Sequence, residues 1–174
     1  GTNDEFSLTF GHRPGSGSSD VTSHTKAIYQ YFADLLLFPD EIETVGFQFS
    51  SGSTEDSIFV LAGERARMKD RLNRKNWTLT LSGWTGSSAA SLLNGPLSLT
   101  DDSDITAATP SPVGPRYNII SGALGTAVNT AHATASFYSG NEPYGWYYPN
   151  VGLIVLNGTA LSASIPGRHI TCGS

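Results

Sequence analysis

The sequence has almost no cysteine, because Cys172 near the C-terminal end is the only one in 174 residues. A single thiol excludes a disulfide framework and a metal cluster built on thiolates. Long apolar runs are missing too. The best candidate, residues 33–38, is interrupted by Asp34 and falls far short of the roughly 18 residues of a membrane span. We therefore predict no membrane segment. The chain starts at Gly1 without a signal-peptide pattern, which suggests a processed product or a segment of a longer polypeptide.

Charge is scarce and unevenly distributed. Charged residues make up 14% of the chain, against roughly 25% in ordinary soluble domains. Segment 64–75 carries six basic and two acidic residues, a net charge of +4, whereas the rest carries four basic and thirteen acidic residues, a net charge of −9. The basic residues of this segment, called here the basic run, are Arg65, Arg67, Lys69, Arg71, Arg74 and Lys75.

The charge balance bears on the partner. A nucleic-acid-binding domain neutralises many phosphates and is usually basic, so a net charge of −5 argues against nucleic acid. We interpret the basic run as a docking surface for an acidic face of a neighbouring protein or of another copy. Residues 64–72 fit a short helix, although their alternation fits a strand nearly as well.

The periodicity predicts a mainly β, α+β fold. Apolar residues recur at three- and four-residue spacing from 22 to 38, with Thr22 or Ser23 as possible caps and Pro39 after the end, which predicts a helix. Short apolar or β-branched runs predict seven strands, at residues 5–10, 45–49, 58–62, 77–81, 97–99, 117–120 and 151–156. One early helix among many strands favours an antiparallel, sandwich-like domain spanning 1–174.

Two segments are expected to lack regular structure. Residues 11–20 are rich in Gly and Ser, and residues 101–116 contain three prolines in six positions. We interpret both as flexible loops that reach neighbouring subunits and become ordered on assembly.

Signals for catalysis, metals and cofactors are weak. The loop at 15–17 lacks the third glycine or the Lys-Ser/Thr of a phosphate-binding loop. The four histidines are far apart, and Asp101, Asp102 and Asp104 lack the glycine and distal glutamate of a calcium loop, so we interpret them as a solvated acidic turn. No Gly-x-Ser-x-Gly motif is present. We predict a non-enzymatic protein without a cofactor or metal.

An aromatic run at 137–148 offers a second kind of surface. Its rings could stack on sugars in a receptor- or glycan-binding module, or cover a sheet edge or a neighbouring subunit. The candidate residues are Tyr138, Tyr144, Trp146, Tyr147 and Tyr148.

Four pieces of the sequence resemble virion structural proteins of large marine tailed phages, including cyanophages. The first joins residues 58–72, which contain Arg-Ala-Arg and a basic tail, to the tryptophan strand 76–81. The others are 97–103, 116–122 and 144–161, the last reading Tyr-Gly-Trp-Tyr-Tyr-Pro-Asn-Val-Gly-Leu-Ile-Val-Leu-Asn at its start. They occur in the order found in that family, where Asp is more common than Asn at position 150.

The resemblance implies a structural component located in the virion. It implies assembly with other virion proteins or with copies of the same chain, in the tail or baseplate rather than the capsid shell. A capsid decoration protein and a glycan-binding adhesin are the alternatives. The resemblance implies no catalytic residues.

Overall fold

The structure, a computed structural model, describes residues 6–15, 19–44, 46–49, 54–63, 74–81, 97–104, 107–127, 143–158 and 161. Within these ranges the helices are α1 (Ser19–Leu36) and α2 (Pro39–Thr44). The strands are β1 (Phe6–His12), β2 (Ser57–Gly63), β3 (Leu79–Leu81), β4 (Leu97–Asp101), β5 (Thr109–Ser111), β6 (Gly114–Ala123), β7 (Thr126–Ala127), β8 (Gly145–Tyr148) and β9 (Leu153–Asn157). The prediction of a mainly β, antiparallel fold is confirmed.

All nine described strands belong to one curled sheet. Its order is β1-β2-β9-β8-β6-β4-β3, and β5 and β7 also pair with β6. Every pairing is antiparallel. The long strand β6 therefore links the β4 side of the sheet to the β8–β9 hairpin.

Helix α1 packs against one face of the sheet. Side chains alternate between the two faces along each strand, so every second strand residue points toward the helix. Ile58 and Val60 from β2, Val155 from β9 and Trp146 from β8 pack with Tyr29 of the helix. We call this set, with its remaining members, the helix-side cluster. Those members are Ala33, Leu36, Leu37, Phe47, Phe49, Tyr148 and Leu153.

The other face carries a second core, called here the opposite-face cluster. It consists of the strand residues that alternate in sequence with those of the helix-side cluster, such as Phe59, Tyr147 and Ile154. Its remaining members are Trp77, Leu99, Tyr117, Ile119, Tyr144, Leu156 and Leu161. Because both faces of β2, β8 and β9 are buried, these strands are apolar throughout instead of alternating with polar residues.

The predicted helix is confirmed, but it begins at Ser19, before the suggested caps Thr22 and Ser23. No Gly or Pro interrupts residues 19–36, so the helical pattern can extend toward the N-terminus. Pro39 does end it, and it opens the unpredicted helix α2. The Glu41 carboxylate accepts a hydrogen bond from the Phe38 amide at 2.9 Å, which satisfies a free N–H at the start of α2. None of the described helices is long and apolar enough to span a membrane.

The strand predicted at 45–49 is wrong for the described residues 46–49. Gly46 has a φ of 64°, which extended strands do not adopt. The Phe47 amide donates to the Tyr29 hydroxyl at 3.1 Å, and that hydroxyl donates to the Glu55 carbonyl at 2.8 Å. The alternating rings of Phe47 and Phe49 are buried against the helix in a bend, so the alternation reflects burial without strand pairing.

The prediction that 101–116 lacks regular structure is also wrong where the segment is described. Asp101 ends β4, and β5 forms a hairpin with β6. The register sets Pro110 opposite Pro115. Proline has no amide N–H, so both positions without a hydrogen-bond donor fall at the same residue pair. Proline is tolerated at such a position in an edge strand. The Ser111 hydroxyl donates to the Gly114 carbonyl at 2.7 Å and closes the turn.

The other predicted boundaries shift modestly. The loop predicted at 11–20 is shorter than expected, because β1 extends to His12 and α1 begins at Ser19. Strand β6 is longer than predicted, and the strand predicted at 77–81 begins only at Leu79. Strand β8 was not among the predicted strands.

Candidate functional site

The candidate site lies at the C-terminal end of the basic run. Four of its six residues, Arg65, Arg67, Lys69 and Arg71, fall outside the described residues, whereas Arg74 and Lys75 lie in an exposed turn before β3. This turn, residues 74–77, is called here the basic turn. Together with Ser103, the residues Arg74, Lys75 and Asn76 line an open cleft of about 530 Å³.

Lys75 holds the basic turn in an unusual backbone conformation. Its φ is 64°, in the left-handed region that side chains other than glycine rarely adopt. The Lys75 amide donates to Oδ1 of the fully buried Asp101 at 2.9 Å. Gly125 packs so closely that a Cβ there would lie 2.6 Å from the Cβ of Lys75. The turn is thus fixed against β4 and the β6–β7 turn.

Further hydrogen bonds attach the residues that lead from the basic turn into β3 to strand β4 and to the β6–β7 turn. The Thr100 hydroxyl donates to the Trp77 carbonyl at 2.9 Å and accepts from the Gly125 amide at 2.8 Å. The Thr78 hydroxyl accepts from the Leu124 amide at 3.0 Å. The basic turn therefore presents its side chains from a rigid support.

The two cations of the basic turn differ in their partners. The Lys75 ammonium forms a surface ion pair with Asp104 at 2.6 Å. Arg74 donates from Nη1 to the Tyr117 hydroxyl at 2.5 Å, and its guanidinium carbon lies 5.5 Å from the centre of that ring. Within the described part of the chain, Arg74 has no carboxylate at salt-bridge distance. Arg74 is exposed as a residue, although its guanidinium lies against Tyr117, and no carboxylate among the described residues pairs with it.

The acidic residues beside the turn are structural, which corrects the prediction of a solvated turn. Asp101 is 0% exposed and Asp102 is 5% exposed. Asp101 also accepts a hydrogen bond from the Ser103 hydroxyl through Oδ2. Asp102 accepts from the backbone amide of Asn118 at 2.9 Å and from its side-chain amide at 3.0 Å. Only Asp104 is exposed to solvent.

Replacing Asp101 with alanine should destabilise the protein by about 1–3 kcal/mol, because the Lys75 amide and the Ser103 hydroxyl would both lose their acceptor. Asp104→Ala is the matched control. It removes only a surface ion pair and should change the free energy of unfolding by less than about 1 kcal/mol. Urea unfolding of both variants measures the difference, and equal values would contradict the structural role of Asp101.

Tyr147 is fully buried, and the charges of Asp101 and Arg74 both act on its hydroxyl. Burial raises the pKa of the Tyr147 hydroxyl well above its usual range. The Asp101 carboxylate raises this pKa further, and the positive charge of Arg74 only partly opposes the increase. Tyr147 therefore stays neutral at ordinary pH, when it contributes packing and no charge.

The aromatic run is not an exposed surface in its described part. Tyr144, Trp146, Tyr147 and Tyr148 are between 0% and 8% exposed. They divide between the two core clusters, and Tyr138 lies outside the described residues. The prediction that these four rings stack on sugars or cover an interface is therefore wrong. Trp146, Tyr147 and Tyr148 belong to β8, which lies in the middle of the sheet, and Tyr144 directly precedes this strand.

The Arg116 side chain packs against the buried strand β8, and the sequence did not suggest this contact. Its guanidinium carbon lies 3.7 Å from the centre of the Trp146 ring. Burial raises the pKa of Tyr148 far above its usual range, and the Arg116 charge opposes that effect. Arg116 belongs to the resemblance piece 116–122, but only the register of β6 with β8 brings it to Trp146.

The remaining candidates form no site. In the described ranges, no group of His, Cys, Asp and Glu residues could hold a metal ion. His12 and His24 lie in β1 and α1, and His132, His169 and Cys172 fall outside the described residues. In comparisons with known proteins, no family model, curated protein or solved structure matches this chain.

Proposed function

We propose that this chain is a non-enzymatic structural component of a phage virion, in the tail or baseplate, that docks through the basic run onto an acidic face of a neighbouring subunit. The observation that carries the proposal is Arg74. It is an exposed arginine that lines an open cleft, and its guanidinium, which contacts Tyr117, has no carboxylate partner among the described residues. A guanidinium so placed suits a carboxylate from another protein, because its planar donors match the two oxygens.

The sequence resemblance supports the same proposal. Its pieces, which are scattered between residues 58 and 161, contain β2, β3, β4, β6, β8 and β9. These strands are consecutive in the sheet, from β2 through β9, β8, β6 and β4 to β3. The resemblance therefore covers a contiguous structural unit, as expected of a shared subunit core.

A second copy of the chain offers a suitable acidic face. Asp34 on α1 and Glu43 on α2 are exposed, and Asp40 adds a third exposed carboxylate at the start of α2. The basic turn precedes β3 at one end of the strand order, whereas α1 packs against β1 at the other. Such opposed surfaces allow head-to-tail contacts between copies.

Charge reversal at Arg65, Arg67, Arg71 and Arg74 to glutamate should reduce the amount of this chain in purified particles by at least about tenfold, since like charges would then face each other across the interface. Thr109→Glu is the control, because it adds a glutamate at an exposed position of β5, outside the basic run and outside the acidic residues of α1 and α2. Quantitative mass spectrometry of particles assembled with each variant gives the comparison. Unchanged incorporation of the charge-reversed chain would overturn the docking proposal.

A further inference from the structure

No described strand pairs with the outer edge of β1. β1 is the first strand in the sheet order and pairs on one side with β2. At the end of this ladder the Arg13 amide donates to the Asp56 carbonyl at 2.8 Å, which marks that pair as hydrogen-bonded. Since bonded and non-bonded pairs alternate along an antiparallel ladder, the amides and carbonyls of Phe6, Leu8 and Phe10 point away from β2.

The same residues present an apolar face. Phe6 is 40% exposed and Leu8 is 55% exposed. The register sets Leu8 opposite Leu61 and Phe10 opposite Phe59, and both partners lie on the side of the opposite-face cluster. An apolar stripe thus extends from that core to the edge of the sheet, where its last side chains contact solvent.

The two ends of the sheet differ in how they would resist pairing. Exposed edges are usually protected by short strands, proline, lysine or inward charges. At one end β3 has only three residues. At the other end β1 has seven residues, Phe-Ser-Leu-Thr-Phe-Gly-His, and none of them is Pro, Lys, Arg, Asp or Glu. Only the β1 edge is long, apolar and unprotected among the described strands.

We propose that β1 pairs antiparallel with β1 of a second copy, which joins two sheets into one across a twofold axis. The charges that flank the strand select this occupant and this direction. Asp4 and Glu5 precede the strand in sequence, and Arg13 follows it. Antiparallel pairing brings the acidic residues that precede one strand toward Arg13 of the other, whereas parallel pairing would bring like charges together.

This interface is separate from the basic turn in the strand order, because β1 is the first strand of the sheet and β3, which follows the basic turn, is the last. It goes beyond the proposed function and requires only the isolated chain. A C2 contact closes on itself, so it forms a dimer and leaves the basic turn of each copy available for other partners.

The test is the oligomeric state of the full 174-residue chain, measured by analytical ultracentrifugation over a range of concentrations. We expect a dimer for the native chain and at least a roughly tenfold weaker dimer for Leu8→Lys, because a lysine at the centre of β1 opposes edge pairing. Leu124→Lys is the matched control. Leu124 is 61% exposed in the β6–β7 turn, so the same substitution there should leave the dimer intact.

Amide hydrogen exchange gives a second readout that does not depend on a variant. The amides of Phe6, Leu8 and Phe10 should become more protected as the protein concentration rises, while those of Ser7 and Thr9, which bond to β2, should be protected throughout. A monomer at the highest soluble concentration would overturn the proposal. Equal dimer stability in Leu8→Lys and Leu124→Lys, with both variants folded by circular dichroism, would overturn it as well.

Discussion

Replacing Gly145 with alanine should destabilise the domain by about 3 kcal/mol, because a methyl group has no room there. A Cβ on Gly145 would lie 2.0 Å from the Val155 carbonyl oxygen and 3.0 Å from the Cα of Leu156. Both obstacles are backbone atoms of β9, the strand registered beside β8. The methyl could be accommodated only by moving two central strands apart, which would disturb both core clusters.

Gly152→Ala is the control for this prediction. Nothing lies within 4 Å of a Cβ at that position, although its φ of 65° is in the left-handed region. The backbone penalty alone should cost about 1–2 kcal/mol. Denaturant unfolding of the two variants compares a steric collision with a conformational penalty, and a smaller loss for Gly145→Ala than for Gly152→Ala would contradict the close approach of β8 and β9.

Trp146→Ala should lower the free energy of unfolding by about 3–5 kcal/mol, the usual effect of deleting a buried aromatic side chain. The Trp146 ring lies 4.6 Å from that of Phe49 and 6.1 Å from that of Phe47, centre to centre. It also lies beneath the Arg116 guanidinium. Its removal would leave a cavity between the sheet and the helix layer and would remove the cation–π contact with Arg116.

The same substitution separates the core role from the glycan-binding alternative. A sugar-stacking tryptophan would be exposed, and its loss would abolish glycan binding with little effect on folding. Tyr31→Ala is the control, since Tyr31 is 63% exposed on α1 and should change stability by less than about 0.5 kcal/mol. Thermal unfolding that leaves Trp146→Ala as stable as Tyr31→Ala would contradict the burial of β8 in the core.

The fold class and most elements could be predicted because their signals are local. The helix at 19–36 follows from three- and four-residue spacing, and β2 and β9 follow from short apolar runs. The failures have a common cause. At 46–49 and in β8, burial of aromatic side chains looks the same in sequence whether the backbone bends or pairs. The outcome depends on partners distant in sequence, such as Tyr29 for Phe47 and β6 for β8.

The candidate site was only partly accessible from the sequence. Clustering of like charge indicated the basic run, and this signal led to Arg74 and Lys75. The sequence could not show that Asp101 and Asp102 are buried and accept hydrogen bonds from the surrounding backbone, because three carboxylates close together in sequence usually indicate a solvent-exposed segment. It also could not bring Tyr117 to Arg74 or Arg116 to Trp146, since these contacts come from the register of β6.

The prolines of 109–115 show a further limit of local rules. Three prolines argue against a strand when each is judged alone. The structure sets two of them opposite each other on an edge hairpin, where they interrupt the ladder only once. Sequence spacing did not suggest this pairing, because it depends on the turn closed by Ser111 and Gly114.

The proposal that this chain is a structural subunit of a phage particle is tested most directly by a cryo-electron microscopy map of the particle encoded by the same genome. We expect density for the nine-stranded sheet in the tail or baseplate, with the basic turn of each copy against an acidic surface of a neighbour. Absence of the chain from the purified particle, or a basic turn that faces only solvent in every copy, would contradict the account.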